Sequence, residues 1–114
     1  MESDANTSKQ LSLPNGTGYV FFNVAEVVRF EAGHNCAFIY FIGQDEYQRV
    51  LPKICEIAAI LAEYKCIYQT NRSHIINQMH VVEFRKKERI IVTRKGDVPI
   101  AEERVREYED RFCR

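Results

Sequence analysis

The apolar residues of this chain fall into many short runs, and turn-forming residues separate them. Runs such as 19–22, 37–42 and 90–93 are rich in β-branched and aromatic residues, which is typical of β-strands. Only residues 51–64 and 101–113 change to the period of an α-helix. The pattern therefore predicts a chain dominated by short strands, with one central helix and one short terminal helix.

The strands are predicted to follow one another through tight turns. Asn15 and Gly16 lie between two apolar runs, and this pair supplies the positive φ angles of a β-hairpin. The most apolar run is predicted to be a central strand. Strands are predicted at 11–13, 19–22, 24–30, 37–42, 47–50, 67–69, 74–76, 81–84, 90–93 and 98–100, with a turn at 31–35 and a basic hairpin tip at 85–89.

The central helical stretch is amphipathic. Its apolar stripe consists of Leu51, Ile54, Cys55, Ala58, Leu61 and Ala62. Cys55 is therefore expected to be a small core residue. Pro52 suits the first turn of this helix. The terminal helix is predicted from Val105, Tyr108 and Phe112, which lie at helical spacing among charged residues.

Length and composition indicate one globular domain. The chain has 114 residues, of which 46% are hydrophobic and 28% charged. We expect residues 1–8 to be a disordered polar tail and residues 9–114 to be the domain. No apolar run approaches the roughly 20 residues of a membrane span, and the polar, acidic N-terminus is unlike a signal peptide. A cytoplasmic location without membrane binding is therefore predicted.

Neither a metal site nor an enzymatic centre is predicted. The chain has four cysteines but no CxxC pair, and His34 with Cys36 lacks the second ligand pair that zinc needs. There is no glycine-rich phosphate loop, no HExxH motif and no paired catalytic carboxylates. We expect no cofactor and no catalytic residue.

The charge is balanced over the whole chain but unevenly distributed. The formal net charge is zero, yet residues 65–95 contain eight lysines and arginines against two glutamates. Residues 1–48 contain two lysines and arginines against six aspartates and glutamates. A basic stripe of this kind is typical of nucleic-acid binding. It is equally typical of an exposed hairpin whose lysines prevent edge-to-edge aggregation.

Residues 68–77 suit a loop that is presented to a polyanion and anchored in a core. Arg72 is flanked by Asn71 and Ser73, and two isoleucines and Asn77 follow. Arginine reads guanine through two hydrogen bonds, and asparagine or serine can contact bases or phosphates. The same two flanking residues could instead only cap a turn, and Asn77 is expected to be structural.

The order of these elements resembles the LytTR family of bacterial DNA-binding domains, over about residues 9–112. The resemblance lies in the sequence Phe30-Glu31-Ala32-Gly33-His34-Asn35, the helix start Leu51-Pro52-Lys53-Ile54, and the segment Asn71-Arg72-Ser73-His74-Ile75-Ile76-Asn77. The charged hairpin and the segment Ala101-Glu102-Glu103-Arg104 complete it. Two departures stand out: Asn71 replaces the family's usual histidine, and Glu102 with Glu103 replace a serine or threonine.

The resemblance implies an elongated, mainly antiparallel β fold of about ten short strands in three small sheets, with one helix between them. It also implies DNA binding by loops that enter successive major grooves. Carried over to this sequence, the candidate base contacts are Arg72, Arg104 and Asn35. The candidate phosphate or flanking contacts are His34, Asn71, Ser73, Gln69, Lys86, Lys87 and Arg89.

The leading hypothesis is therefore sequence-specific binding of double-stranded DNA in bacterial transcription regulation. The resemblance implies a two-component response regulator that binds direct repeats as a homodimer. A receiver domain is expected outside this chain, or the chain is a stand-alone regulator. The alternative is a protein-interaction module of the same fold that modulates another regulator through the aromatic face of Phe38, Tyr40 and Phe41. The acidic pair Glu102 and Glu103 favours that alternative, because carboxylates repel phosphates.

Overall fold

Three antiparallel β-sheets and two helices make up the fold in the computed structural model, which describes residues 6–113. The ten strands of these residues are β1 (Gln10–Pro14), β2 (Tyr19–Asn23), β3 (Val27–Gly33), β4 (Cys36–Phe41), β5 (Gln48–Val50), β6 (Ile67–Asn71), β7 (His74–Asn77), β8 (Val81–Arg85), β9 (Ile90–Thr93) and β10 (Gly96–Pro99). The helices are α1 (Ile54–Ile60) and α2 (Val105–Phe112), and single 3₁₀ turns span Val24–Glu26, Gln78–His80 and Glu102–Arg104.

The largest sheet contains five strands in the order β5-β4-β3-β7-β6. A three-stranded sheet has the order β10-β9-β8, and β1 pairs with β2. The predicted fold class, mainly β with ten strands, three small sheets, a central helix and a short terminal helix, is confirmed. The molecule measures 41 × 36 × 25 Å, so it is long in two directions and thin in the third. None of the helices among residues 6–113 is long and apolar enough to cross a membrane.

Two hydrophobic clusters hold these sheets together. Alternate residues of β3, β4 and β7, among them Phe30, Ile39 and Ile75, are fully buried and pack with the β1–β2 hairpin and α1. The second cluster joins the three-stranded sheet to α2 through Ile91 and Tyr108. The buried Tyr68 and Ile76 of the large sheet belong to this second cluster, so the two sheets share an apolar contact.

Helix α1 is shorter than the sequence predicts, and its buried stripe is rotated. The residues that face the core are Ile54, Ile57, Leu61 and Tyr64, whereas Leu51 and Ala62 are exposed. The expectation that Cys55 is a core residue is wrong, because its side chain is exposed. The helix begins only after Pro52, where the Glu56 carboxylate accepts the Lys53 N–H at 2.9 Å and satisfies one amide of the first turn.

Two other boundaries differ from the prediction. Residues 24–30 do not form one strand, since Val24–Glu26 is a 3₁₀ turn and β3 begins at Val27. The predicted turn at 31–35 is only two residues long, because β3 pairs with β4 as far as Gly33. Most of the predicted disordered tail lies outside the described residues. Its last part is described, and the Lys9 N–H donates to the Asn6 carbonyl at 3.1 Å in a turn.

Candidate nucleic-acid interface

Four connecting segments lie side by side at one end of the molecule, and we call them the loop row. They are the β3–β4 turn (34–35), the β6–β7 turn (72–73), the segment that leads into α2 (99–104) and the β8–β9 turn (86–89). All the predicted site residues belong to the loop row or to the strand residues that enter it. At least two strands separate neighbouring segments along the chain, so the fold brings them together.

The first two turns adjoin because β3 and β7 are antiparallel neighbours. Glu31 pairs with His74, and the Ala32 N–H donates to the Ser73 carbonyl at 2.8 Å. The exposed residues His34 and Asn35 form the tip of the first turn. Asn35 has a φ of +56°, a left-handed conformation that asparagine tolerates better than most residues.

Gly33 allows the strand before this turn to pack closely. A Cβ at this position would lie 2.6 Å from the Cys36 Sγ and 2.7 Å from the Phe38 ring. The first turn therefore depends on glycine for its closeness to β4, and its two tip residues are held at a fixed distance from the β6–β7 turn.

Asn71 fixes the second turn from within. Its Oδ1 accepts the Ser73 N–H at 2.7 Å and lies 3.1 Å from the Nδ1 of His74. Its Nδ2 donates to the Pro99 carbonyl at 2.7 Å, which ties this turn to the third segment. The amide is thus engaged inside the protein on both its oxygen and its nitrogen. Arg72, between these anchors, is exposed and has no hydrogen bond or ion pair among residues 6–113.

A β-bulge also joins the second turn to the third segment. The β6–β7 register passes over Thr70, and its carbonyl accepts the Ala101 N–H at 2.9 Å. Arg104, at the end of this segment, lines a cleft with Gln69, and its Nη1 lies 3.9 Å from the Glu107 carboxylate. The structure therefore places both candidate side chains in a cleft between β6, α1 and α2, with the Arg104 charge only loosely paired.

Tyr68 supports the same cleft. Its hydroxyl donates to the Glu107 carboxylate at 2.7 Å and lies 3.4 Å from the Arg104 carbonyl. Burial, together with the hydrogen bond to Glu107, raises the pKa of Tyr68 to about 12. The hydroxyl is therefore neutral at physiological pH and remains a hydrogen-bond donor.

The basic hairpin tip is the fourth member of the loop row. The Ile100 N–H donates to the Arg89 carbonyl at 3.1 Å, which places the tip against the third segment. Lys86 Nζ lies 3.0 Å from the Glu109 carboxylate, and Arg89 Nη1 lies 3.6 Å from that of Glu102. Two of the three candidate phosphate contacts in this tip are thus already paired with carboxylates.

An open groove of about 520 Å³ separates the hairpin tip from α2. It is lined by Lys86, Lys87, Arg89, Glu102, Val105, Arg106, Glu109 and Asp110. Sequence reasoning missed Arg106 as a member of this site. The signal was present, because Arg106 lies on the face of α2 opposite the buried Tyr108.

A charged cluster behind the first two turns was also missed. The Arg29 Nη1 lies 2.9 Å from the Glu31 carboxylate, its Nε donates to the Lys95 carbonyl at 2.7 Å, and its guanidinium lies 3.8 Å from the centre of the Tyr40 ring. The hydrogen bond from Arg29 holds the pKa of Glu31 below its usual value. Burial lowers the pKa of His74, so the neutral ring is favoured.

The predicted aromatic face requires one correction. Phe38 and Tyr40 share a face, and the Tyr47 ring packs on both, with ring centroids 4.8 and 5.5 Å away. Phe41 does not belong to this face, because it is buried and packs against Phe22 in the core. Side chains alternate along a strand, so β4 presents Phe38 and Tyr40 on one side and turns Phe41 to the other.

The described residues contain no group of three or more His, Cys, Asp or Glu side chains that could hold a metal ion. What the loop row offers chemically is hydrogen-bond donors and positive charge. Its exposed cations suit phosphates, and its fixed turns suit the edges of bases.

No protein-family model and no curated protein matches this sequence. Among solved structures, the chain is similar to the LytTr DNA-binding domain of a putative methyl-accepting/DNA response regulator from Bacillus cereus, with a TM-score of 0.72. The match covers 90% of this chain and 94% of that chain. This chain has the LytTr fold. The two sequences are 14% identical, so the LytTr likeness confirms the fold that the sequence motifs predicted.

Proposed function

We propose that this chain binds double-stranded DNA in a sequence-specific manner and serves as the output domain of a bacterial transcription regulator. The observation that carries the proposal is the loop row, with the exposed Arg72 held between two anchored residues. The structural neighbour is itself described as a DNA-binding domain of a response regulator. Binding requires no chemical step and no cofactor.

The loop row supports a division of roles among the candidate residues. Arg72 and Asn35 occupy turn tips, where a side chain can reach a base edge in the major groove. Arg104 would act beside them from the start of α2. His34, Ser73, Gln69 and the cations of the hairpin tip, Lys86, Lys87 and Arg89, would contact phosphates or flanking groups. Asn71 positions Arg72, because both ends of its amide are bound within the protein.

Assembly and context complete the proposal. We infer that two copies bind direct repeats as a homodimer on DNA, in the cytoplasm, and that a receiver domain outside this chain controls them in a two-component system. The similar Bacillus cereus domain comes from a putative response regulator, which supports this context. Sedimentation of the protein with a duplex that carries two selected sites would show two copies bound per duplex.

The proposal can be tested with four proteins: the wild type and the variants Arg72→Ala, Arg72→Lys and Arg49→Ala. Sites are first selected from a random duplex library, and affinity is then measured by fluorescence anisotropy across a salt series. Arg49 is exposed on the edge strand β5, outside the loop row, and its replacement removes the same charge. Arg72→Ala should weaken binding to the selected site by about 1–3 kcal/mol, whereas Arg49→Ala should change it little.

Arg72→Lys separates base reading from charge. Lysine keeps the positive charge but lacks the planar fork that binds guanine through two hydrogen bonds. We expect this variant to retain the salt dependence of the wild type and to lose preference for the selected site. If wild-type protein does not bind any duplex at 20 mM salt, the assigned role in DNA binding is wrong.

A second function rests on a different observation. The Glu102 side chain is 82% exposed in the loop row, and two of the hairpin cations are already paired. These charges suit a protein-interaction module of the same fold, which would modulate another regulator through Phe38, Tyr40 and Tyr47. For this module, Phe38→Ala should abolish capture of the partner regulator, and Arg72→Ala should not.

A further inference from the structure

We propose that the carboxylates of Glu102 and Glu109, beside and on α2, form ion pairs with the cations of the hairpin tip and thereby lower the affinity of the loop row for phosphates. We call these two ion pairs the plug. This regulation rests on the proposed DNA-binding function. Removal of the two carboxylate charges should therefore release Lys86 and Arg89 and strengthen binding to DNA of any sequence.

The geometry of the groove supports the plug. Each carboxylate lies on or beside α2 and faces one cation of the β8–β9 turn, at 3.0 Å for Glu109 with Lys86 and 3.6 Å for Glu102 with Arg89. The four cations that line the groove face three carboxylates, so the tip has little net charge to offer to a phosphate. A carboxylate and a phosphate make the same kind of charge-assisted contact with lysine and arginine.

A phosphate can replace the carboxylate in either ion pair. The side chains of Lys86 and Arg89 are 62% and 51% exposed, so water and salt screen both pairs. A DNA phosphate that approaches the tip can therefore displace either carboxylate without opening the core. The displacement weakens binding, because the protein must first give up a contact of the same type.

The experiment compares the wild type with Glu102→Gln/Glu109→Gln and with the matched control Glu103→Gln. Glutamine keeps the shape of glutamate and removes its charge. Glu103 neighbours Glu102 and is exposed, and it makes no ion pair with the hairpin tip among residues 6–113. Each protein is first checked by thermal melting, and its affinity for an unselected duplex is then measured at several salt concentrations between 50 and 200 mM.

Each released cation that meets a phosphate should steepen the dependence of log affinity on log salt by about 0.9. With two cations released, the gain in affinity of the double variant over the wild type should be roughly 10-fold larger at 50 mM than at 200 mM salt. Glu103→Gln should leave the slope unchanged. A second double variant, Lys86→Gln/Arg89→Gln, should weaken DNA binding only a little in the wild-type background. The same two substitutions should weaken it strongly in the Glu102→Gln/Glu109→Gln background.

The outcomes distinguish the plug from the proposed function. If the wild type and Glu102→Gln/Glu109→Gln bind with the same affinity and slope, the plug is wrong and DNA binding stands. If neither protein binds any duplex when the salt is lowered to 20 mM, both the plug and the proposed function are wrong. If Glu103→Gln steepens the slope as much as the double variant does, the effect is one of general charge and the plug is again wrong.

Discussion

Asn77 anchors the strand that follows the second turn, and its removal should destabilise the whole domain. Its side chain is completely buried. Its Nδ2 donates to the carbonyls of Val24 and Val27, each at 2.9 Å, and its Oδ1 accepts the Met79 N–H at 3.0 Å. The variant Asn77→Ala removes all three bonds, and the Val24 carbonyl then keeps only the bond that it accepts from the Val27 N–H.

The size of the effect follows from these three bonds. A hydrogen bond contributes about 1 kcal/mol of net stability, so Asn77→Ala should lower the free energy of unfolding by about 3 kcal/mol. For a chain of 114 residues, the entropy of unfolding converts this loss into a fall in Tm of about 12 °C. Urea unfolding followed by circular dichroism measures the free energy, and a thermal scan measures Tm.

The variant Asn77→Asp is the sharper control, because it has the shape of asparagine. It keeps the acceptor for the Met79 N–H but directs a carboxylate oxygen at the carbonyls of Val24 and Val27. Burial beside these carbonyls should raise the pKa of the introduced carboxyl group above its unfolded value. The destabilisation should therefore exceed that of the alanine variant at pH 7 and shrink as the pH falls towards 4. A loss below about 1 kcal/mol for Asn77→Ala would refute the hydrogen-bond argument.

Three further predictions concern the loop row and its supports. Asn71→Ala should weaken binding to a selected DNA site by about 10-fold without changing the salt slope, because the loop loses its anchor but no phosphate contact is lost; anisotropy measures both. Because the pKa of Glu31 is lower in the folded state than its unfolded value of 4.5, this group stabilises the fold above pH 4.5, and the stability is lost as the pH falls through the folded pKa. The urea midpoint of Glu31→Gln should therefore depend less on pH between pH 5 and 3 than that of the wild type. The raised pKa of Tyr68 contributes stability that is complete below pH 10 and is lost as the pH rises towards 12. Tyr68→Phe should therefore remove the last step of the phenolate absorbance titration and make unfolding less sensitive to pH in that window.

The alternation of apolar residues predicted the strands of this fold well, because a strand is marked by the residue types within its own short run. The strand β9 has the bounds that its apolar run predicts, and β4 is displaced by only one residue. The helix was harder to predict, because Leu51 and Cys55 fit a helical stripe by spacing alone. Which of two adjacent stripes faces a core depends on the packing of α1 against the large sheet, and spacing carries no information about it.

The placement of the candidate residues in turns could be predicted from the sequence, but the arrangement of those turns in space could not. A motif can place Arg72 in a turn and Lys86 in a hairpin tip. It cannot show that Asn71 bonds to Pro99, because that contact spans 28 residues and depends on the bulge in β6. The pairing of Lys86 with Glu109 likewise depends on the rotation of α2, which the burial of Tyr108 sets.

Three segments of the loop row are turns, each closed by the ladder of its own two strands, and the remaining segment leads from β10 into α2. A residue exchanged at one turn tip therefore leaves the ladders of the other two turns in place. For the proposed DNA-binding function, target preference could accordingly be changed one turn at a time. A recognition helix offers less of this independence, because all its reading residues share one rigid axis.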